Sequence, residues 1–227
     1  MNREQFLAQV RTAAAAGRMY RVHPRPHAHG KYEPADEAEA QARFHREVVN
    51  AGGAFHPLDD GLALRELLAS LIDRHACRSA IVWRHPALER HGVYGMLDQL
   101  GVTWLDAERA ERLAPTERRA AWLAADLGIT AADFAIAETG SVVVQSRRGQ
   151  ERMASLLPKV HLAIVEPAMI VPDLFDLFAR LELHGLDQLP SNLTLITGPS
   201  KTGDLELRLV TGVHGPKAWH VAMINTP

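Results

Sequence analysis

Cysteine is nearly absent from this chain of 227 residues, and Cys77 is the only one. One thiol closes no internal disulfide, and an iron-sulfur cluster takes about four thiolates, so the chain has neither a disulfide framework nor the means to ligate a cluster of its own. Long apolar runs are missing too. No stretch approaches the roughly 20 residues needed to span a bilayer, and residues 1–20 lack the apolar segment of a secretory signal; a cytoplasmic protein is expected. The 25 Lys+Arg nearly balance the 27 Asp+Glu without a dense basic run, which disfavours nucleic acid as a partner. No Gly-x-Gly-x-x-Gly follows an early strand, so a self-contained NAD dehydrogenase is not expected. Internal repeats and low-complexity tracts are also lacking.

What is present suits one sizeable core, or a core plus a helical arm: 47% of residues are hydrophobic and the net charge is −2. A short helix is expected over 2–16, with Phe6, Leu7 and Val10 on one side. Residues 20–34 hold Pro24, Pro26 and Pro34 together with His23, His27 and His29, a composition that defeats helix and strand alike and reads as an arm or linker. The three histidines lack a scaffold and a carboxylate or thiolate neighbour, so no metal site is assigned to them. Helices follow over 36–49 and 60–75, the second burying Leu62, Leu64, Leu67, Leu68, Leu71 and Ile72. Then α/β alternation begins: strand 79–83, helix 86–100, strand 102–105, helix 115–126. Segments 133–138 and 141–146 read as a hairpin joined across Thr139-Gly140. Strand 160–165, helix 173–183 and strands 193–197 and 219–224 complete the pattern. It predicts an α/β fold, a mostly parallel sheet flanked by helices with an inserted hairpin, plus an amino-terminal helical arm. The division is placed at 1–58 for the helices and the Pro/His-rich arm, and 59–227 for the α/β domain.

The most telling stretch is Thr194-Leu-Ile-Thr-Gly-Pro-Ser-Lys-Thr-Gly-Asp-Leu-Glu206, where a short apolar strand runs into a turn of hydroxyls, a lysine and two acids. An open α/β sheet presents small anions with a site of this kind at the carboxyl end of a strand, and here Gly198 and Gly203 permit a tight turn while Ser200, Lys201 and Thr202 offer donors. It is not a nucleotide P-loop, because Ser200 precedes Lys201 and Pro199 removes a backbone donor. The alternative is a solvated turn in which Asp204 and Glu206 begin a helix capped by Ser200 or Thr202.

Four motifs in this order, Ala137-Glu-Thr-Gly-Ser141, Leu157-Pro-Lys-Val-His161, Ile196-Thr-Gly-Pro-Ser-Lys-Thr-Gly-Asp204 and Gly212-Val-His-Gly-Pro216, resemble the LUD domain family in its lactate utilisation protein C (LutC) branch. The resemblance covers 79 to the end closely and the amino-terminal helices in general character. It implies a fold of the NagB/RpiA/CoA-transferase class and a role in oxidising L-lactate to pyruvate. It also implies companions of the LutA-like and LutB-like kind that carry the iron-sulfur clusters.

Two candidate catalytic residues follow. Glu138, before Thr139, Gly140 and Ser141, is placed to act as a general base or, as in the related transferases, to attack an acyl group; otherwise it is a hairpin residue paired with an arginine such as Arg147. His214 stands between Gly212 and Gly215-Pro216, where close ligand approach is possible; otherwise it hydrogen-bonds its loop to a neighbouring strand. The small-anion site is expected at Thr139, Gly140, Ser141, Gly198, Ser200, Lys201, Thr202, Gly203 and Asp204. Arg147, Arg148 and Arg152 offer a carboxylate clamp or a solvated basic surface, and Lys159 and His161 lie at the start of a strand. Two other functions fit the same residues: an autonomous isomerase, ligase or transferase acting on a phosphorylated or acyl substrate, and a non-catalytic assembly protein.

Overall fold

The computed structural model describes residues 2–17, 31–183, 189–203, 209–212 and 214–225. The chain forms two units, Met1–Lys31 and Tyr32–Pro227. In the first, helix α1 (Arg3–Gly17) is capped by Asn2, whose Oδ1 accepts from Gln5 N–H at 2.9 Å. Residues 18–30, most of the expected arm, lie outside the described residues.

The second unit begins with α2 (Glu37–Asn50), whose N-cap Asp36 accepts from Glu39 N–H, and which buries Ala40, Phe44 and Val48 at helical spacing. Strand β1 (Ala54–Leu58) follows. Helix α3 (Gly61–His75) starts at N-cap Asp60 and buries Leu64, Leu68 and Leu71. Leu62 is exposed, contrary to expectation, because it lies off that stripe. The helix expected over 86–100 breaks at His91-Gly92 into α4 (Pro86–Arg90) and α5 (Val93–Gln99).

A six-stranded sheet, parallel throughout, forms the main layer. Its members are β1, β2 (Ser79–Val82), β3 (Thr103–Leu105), β4 (Leu127–Ala131), β7 (Val160–Val165) and β12 (Ala218–Ile224), in the order β1-β12-β7-β4-β2-β3. Its strands read as apolar runs because both faces are covered: β4 and β7 are buried along their whole length. The sequence reading passed over β4, whose Gly128 weakens the strand pattern. That glycine is required for packing. A Cβ at Gly128 would stand 1.7 Å from the carbonyl oxygen of Ala154, in α8 (Met153–Leu156), which lies against β4.

The expected hairpin is present as β5 (Phe134–Ile136) and β6 (Ser141–Ser146), inserted after β4, but it builds a second sheet instead of joining the parallel one. That sheet runs β8 (Ile170–Val171), β5, β6, β9 (Asn192–Ile196), with β9 antiparallel to β6 and α9 (Leu174–Leu183) covering β5 and β8. Helix α2 packs on both sheets, with Phe44 edge-on to Phe55 of β1 at 5.9 Å and further contacts to β6 and β8. Two short helices, α6 (Ala107–Glu111) and α7 (Pro115–Leu123), connect β3 to β4.

The boundary read after residue 58 needs correcting. β1 is an edge strand of the main sheet, in register Ala54↔His220 to Leu58↔Ile224, so residues 32–58 belong to the compact α/β unit. Pro57 hid the strand. An edge position tolerates proline, since only one side of the strand must supply hydrogen bonds.

Candidate functional site

The Glu-Thr-Gly-Ser turn is held from below. Ala137 N–H donates to Val171 O and Glu138 N–H to Pro172 O, each at 2.9 Å, which fixes the turn at the end of β5. Gly140 has φ 67°, and a Cβ there would lie 2.4 Å from Val48 N and 2.5 Å from Glu47 C, so the turn fits against α2 only with glycine. Ser141 is buried, and its hydroxyl bridges Thr139 Oγ1 at 2.7 Å and Thr197 Oγ1 at 2.6 Å. Among the described residues, no histidine or carboxylate hydrogen-bonds this hydroxyl ladder. Glu138 is exposed and has no side-chain partner there. Arg147, its suggested partner, instead pairs with Asp133 at 2.6 Å.

The 198–203 turn follows β9, which lies in the second sheet and not at the carboxyl edge of the parallel one. Lys201–Gly203 form strand β10, antiparallel to β11 (Leu209–Thr211), so a helix does not begin at Lys201 or Thr202. Asp204 and Glu206 lie outside the described residues. Ser200 N–H donates to Pro216 O at 2.9 Å and Gly212 N–H to Ser200 O at 2.8 Å, which joins this turn to the Gly212–Pro216 loop. Lys201 Nζ donates to Ala51 O at 2.7 Å. His214 is exposed, without a side-chain partner among the described residues. Lys217 N–H donates to Lys159 O at 2.8 Å, so the Leu-Pro-Lys-Val-His segment adjoins the same loop. His161 itself is fully buried, with Nε2 3.0 Å from Thr130 Oγ1, and burial pushes its pKa down to about 3; it belongs to the core. The four motifs therefore gather where β1, β7 and β12 begin and α2 ends.

The opposite, carboxyl edge of the parallel sheet carries a set of charged residues that the sequence reading largely missed. The chain leaves β2 for β3 on one side and returns to β4 on the other, a topological switch point of the kind where open sheets hold ligands. Arg84 and His85 follow β2, Asp106 follows β3, Asp133 follows β4 and Glu166 follows β7. Arg84 Nη1 donates to Asp106 Oδ2 at 2.9 Å and to Glu108 Oε2 at 2.6 Å. Buried Glu166 accepts from Arg90 Nη2 at 2.9 and 3.0 Å, and His91 Nε2 lies 3.0 Å from its Oε1. Burial alone would raise the Glu166 pKa, but the hydrogen bonds from Arg90 and His91 outweigh it and hold the carboxyl below its ordinary value. His85 caps α4, its Nδ1 accepting from Ala87 N–H at 3.1 Å, so the proton of the neutral ring sits on Nε2. Burial lowers its pKa, with Arg90 and Arg147 acting the same way against Asp133 and Glu166. The signal that was available is positional: a polar residue within two positions of the end of each parallel strand. Among the described residues, no group of three or more His, Cys, Asp or Glu is placed to hold a metal ion. No helix among them is long and apolar enough to cross a membrane.

The chain is similar to lactate utilization protein C of Halalkalibacterium halodurans, 34% identical over 67% of this chain and 65% of the relative. It is also similar to lactate utilization protein C of Geobacillus sp. (strain WCH70), 28% identical over 99% of this chain and 96% of the relative. Among solved structures, a DUF162 family protein of Deinococcus radiodurans shares the fold with a TM-score of 0.58, at 23% identity, covering 85% of this chain and 100% of that one. The LUD domain model matches residues 41–224, from within α2 to the last residue of β12 and through all four motifs, and the chain belongs to the LUD domain family.

Proposed function

We propose that this chain is a subunit of an iron-sulfur system that oxidises L-lactate to pyruvate. The observation that carries the reading is kinship, over nearly the full length of both chains, to proteins named lactate utilization protein C. With a single cysteine, this chain leaves the clusters that take up the electrons to companions of the LutA-like and LutB-like kind. Glu138 and His214 are its catalytic candidates, and the turns 138–141 and 198–204 its surface for the small anionic substrate. In support, both side chains are exposed and lack partners among the described residues, so nothing in the packing accounts for them. Lys201 spends one donor on Ala51 and keeps two of its three N–H groups for an anion.

Deleting the gene and measuring growth on L-lactate as sole carbon source tests the reading, with glucose as the control. Growth on L-lactate is expected to fail and to return with the wild-type gene, and the tagged chain is expected to bring down companions with bound iron and cluster absorbance. Undiminished growth sinks the reading. Robust lactate turnover by the purified chain alone, with NAD or a dye acceptor, makes it an autonomous enzyme instead.

A further inference from the structure

We infer that a cleft at the carboxyl edge of the parallel sheet, walled by the loop 147–152, binds a small dianion, a phosphate ester or a dicarboxylate. The open cleft has a volume of about 520 Å³ and is lined by Arg147, Arg148, Arg152, Ser191 and Asn192, with Glu151 as the one acid in its lining. That volume is in the range of small-molecule sites.

Three guanidinium groups within six residues repel one another, so a loop serving only as a connection gains nothing from holding them together. This loop is held. Trp83 Nε1 donates to Glu151 O at 2.9 Å, Arg84 N–H to Gly149 O at 2.8 Å and Gln150 N–H to Arg147 O at 2.9 Å. The first two anchors come from the residues directly after β2, so the loop is fixed to the strand at the switch point. The Gln150 side chain is buried beneath it. Arg147 is compensated: Nη1 pairs with Asp133 at 2.6 Å and Nη2 reaches Gln145 Oε1. Arg148 and Arg152 are exposed and make no ion pair among the described residues. Two uncompensated planar forks on a pinned backbone complement two negative charges carried on paired oxygens, which phosphate esters and dicarboxylates both present. Arg148 also faces a second cleft, of about 340 Å³, in which Glu108 and Glu111 offset Arg84 and Arg148; the ligand is therefore assigned to the Ser191 side, where the arginines outnumber the acid.

The site is independent of the lactate reading and stands at the other end of the strands from the motif turns. Calorimetric titration of the purified full chain with inorganic phosphate, succinate and L-lactate tests it. At least one of the two dianions is expected to bind saturably, and L-lactate about tenfold more weakly. Arg148→Ala/Arg152→Ala is expected to weaken dianion binding by about tenfold or more, since a charge-assisted hydrogen bond contributes on that scale. Arg148→Lys/Arg152→Lys, which keeps the charge and loses the fork, is expected to fall between, with circular dichroism unchanged in both. Phosphate against succinate identifies the ligand class. The proposal is overturned if neither dianion binds saturably, if L-lactate binds equally well, or if the double alanine variant binds undiminished.

Discussion

Lys201 Nζ lies 2.7 Å from the main-chain oxygen of Ala51, the residue that caps the carboxyl end of α2. A cation there satisfies an orphan carbonyl and meets the negative end of the helix dipole. The most site-like residue of the sequence thus has a packing role as well, and the two roles differ in what their loss would do. Lys201→Ala is expected to cost about 0.5–1 kcal/mol of stability in urea unfolding. Glu138→Gln, at an exposed and unpaired side chain, is expected to leave the unfolding midpoint unchanged and to abolish growth on L-lactate. If Glu138→Gln grows normally while Lys201→Ala does not, the chemistry belongs to the 198–203 turn.

Gly140→Ala is expected to destabilise the protein by about 2–4 kcal/mol, because the new Cβ meets the backbone of Glu47 and Val48 at a residue with φ 67°. Gly128→Val is expected to prevent folding, since Ala154 O already stands 1.7 Å from where a Cβ would be. Equilibrium unfolding of the first variant and soluble expression of the second check these. A Gly140→Ala protein as stable as the parent would mean that α2 does not pack on the turn.

Acid sensitivity should come from histidines. His220 is buried on β12 with its Nδ1 3.1 Å from His56 Nε2 and its ring 5.7 Å from that of His75; burial, then His56, His75 and Arg74, push its pKa down to about 4. His161 is pushed down to about 3, first by burial and then by His220. Both are neutral in the fold, whereas the unfolded chain takes up protons at the ordinary value of 6.5. Their contribution is complete above 6.5 and declines as pH falls toward about 4, by roughly 1.4 kcal/mol per pH unit for each histidine. Urea unfolding across that window should show the slope, and His220→Gln should reduce it. A flat profile would rule the histidines out.

Glu166→Gln is expected to cost about 2–3 kcal/mol, since it removes the charge that accepts from Arg90 and His91 at a buried position. The carboxyl has a lowered pKa, so its contribution is present above the ordinary carboxylate value of 4.5 and is lost as pH falls through the lower folded value. The variant's acid transition should therefore lose a component below 4.5 that the parent shows. An identical low-pH limb in the two proteins would count against the pair.

Periodicity made most of the elements legible: the helices beginning about Asp36 and Asp60, the leucine stripe of α3 and the hairpin around Gly140 are local patterns. What stayed hidden depended on contacts between distant segments. β4 contains a glycine that only α8 explains, β1 contains a proline that only its edge position permits, and β9 belongs to a different sheet from the one its apolar run suggested. The ordered motifs pointed to the family, and the structure brings them together. The carboxyl-edge charges were illegible because Arg84, Asp106, Asp133 and Glu166 are scattered along the chain and become neighbours only when parallel strands align their ends.

β12 lies between β1 and β7 and pairs with both, yet His56 and His220 are 164 residues apart in sequence. A ribosome therefore delivers β1 long before the strand it needs, and the growing chain must carry an unpaired edge through most of its synthesis. Pro57, with no N–H to offer, blunts the outer side of β1 against pairing with strangers, while the side that awaits β12 stays open. Closure of the sheet is then a late, non-local event, and a product cut short before residue 218 strands β1 and bares the flank of β7 at once, which makes nascent fragments of this chain natural targets for chaperones and proteases.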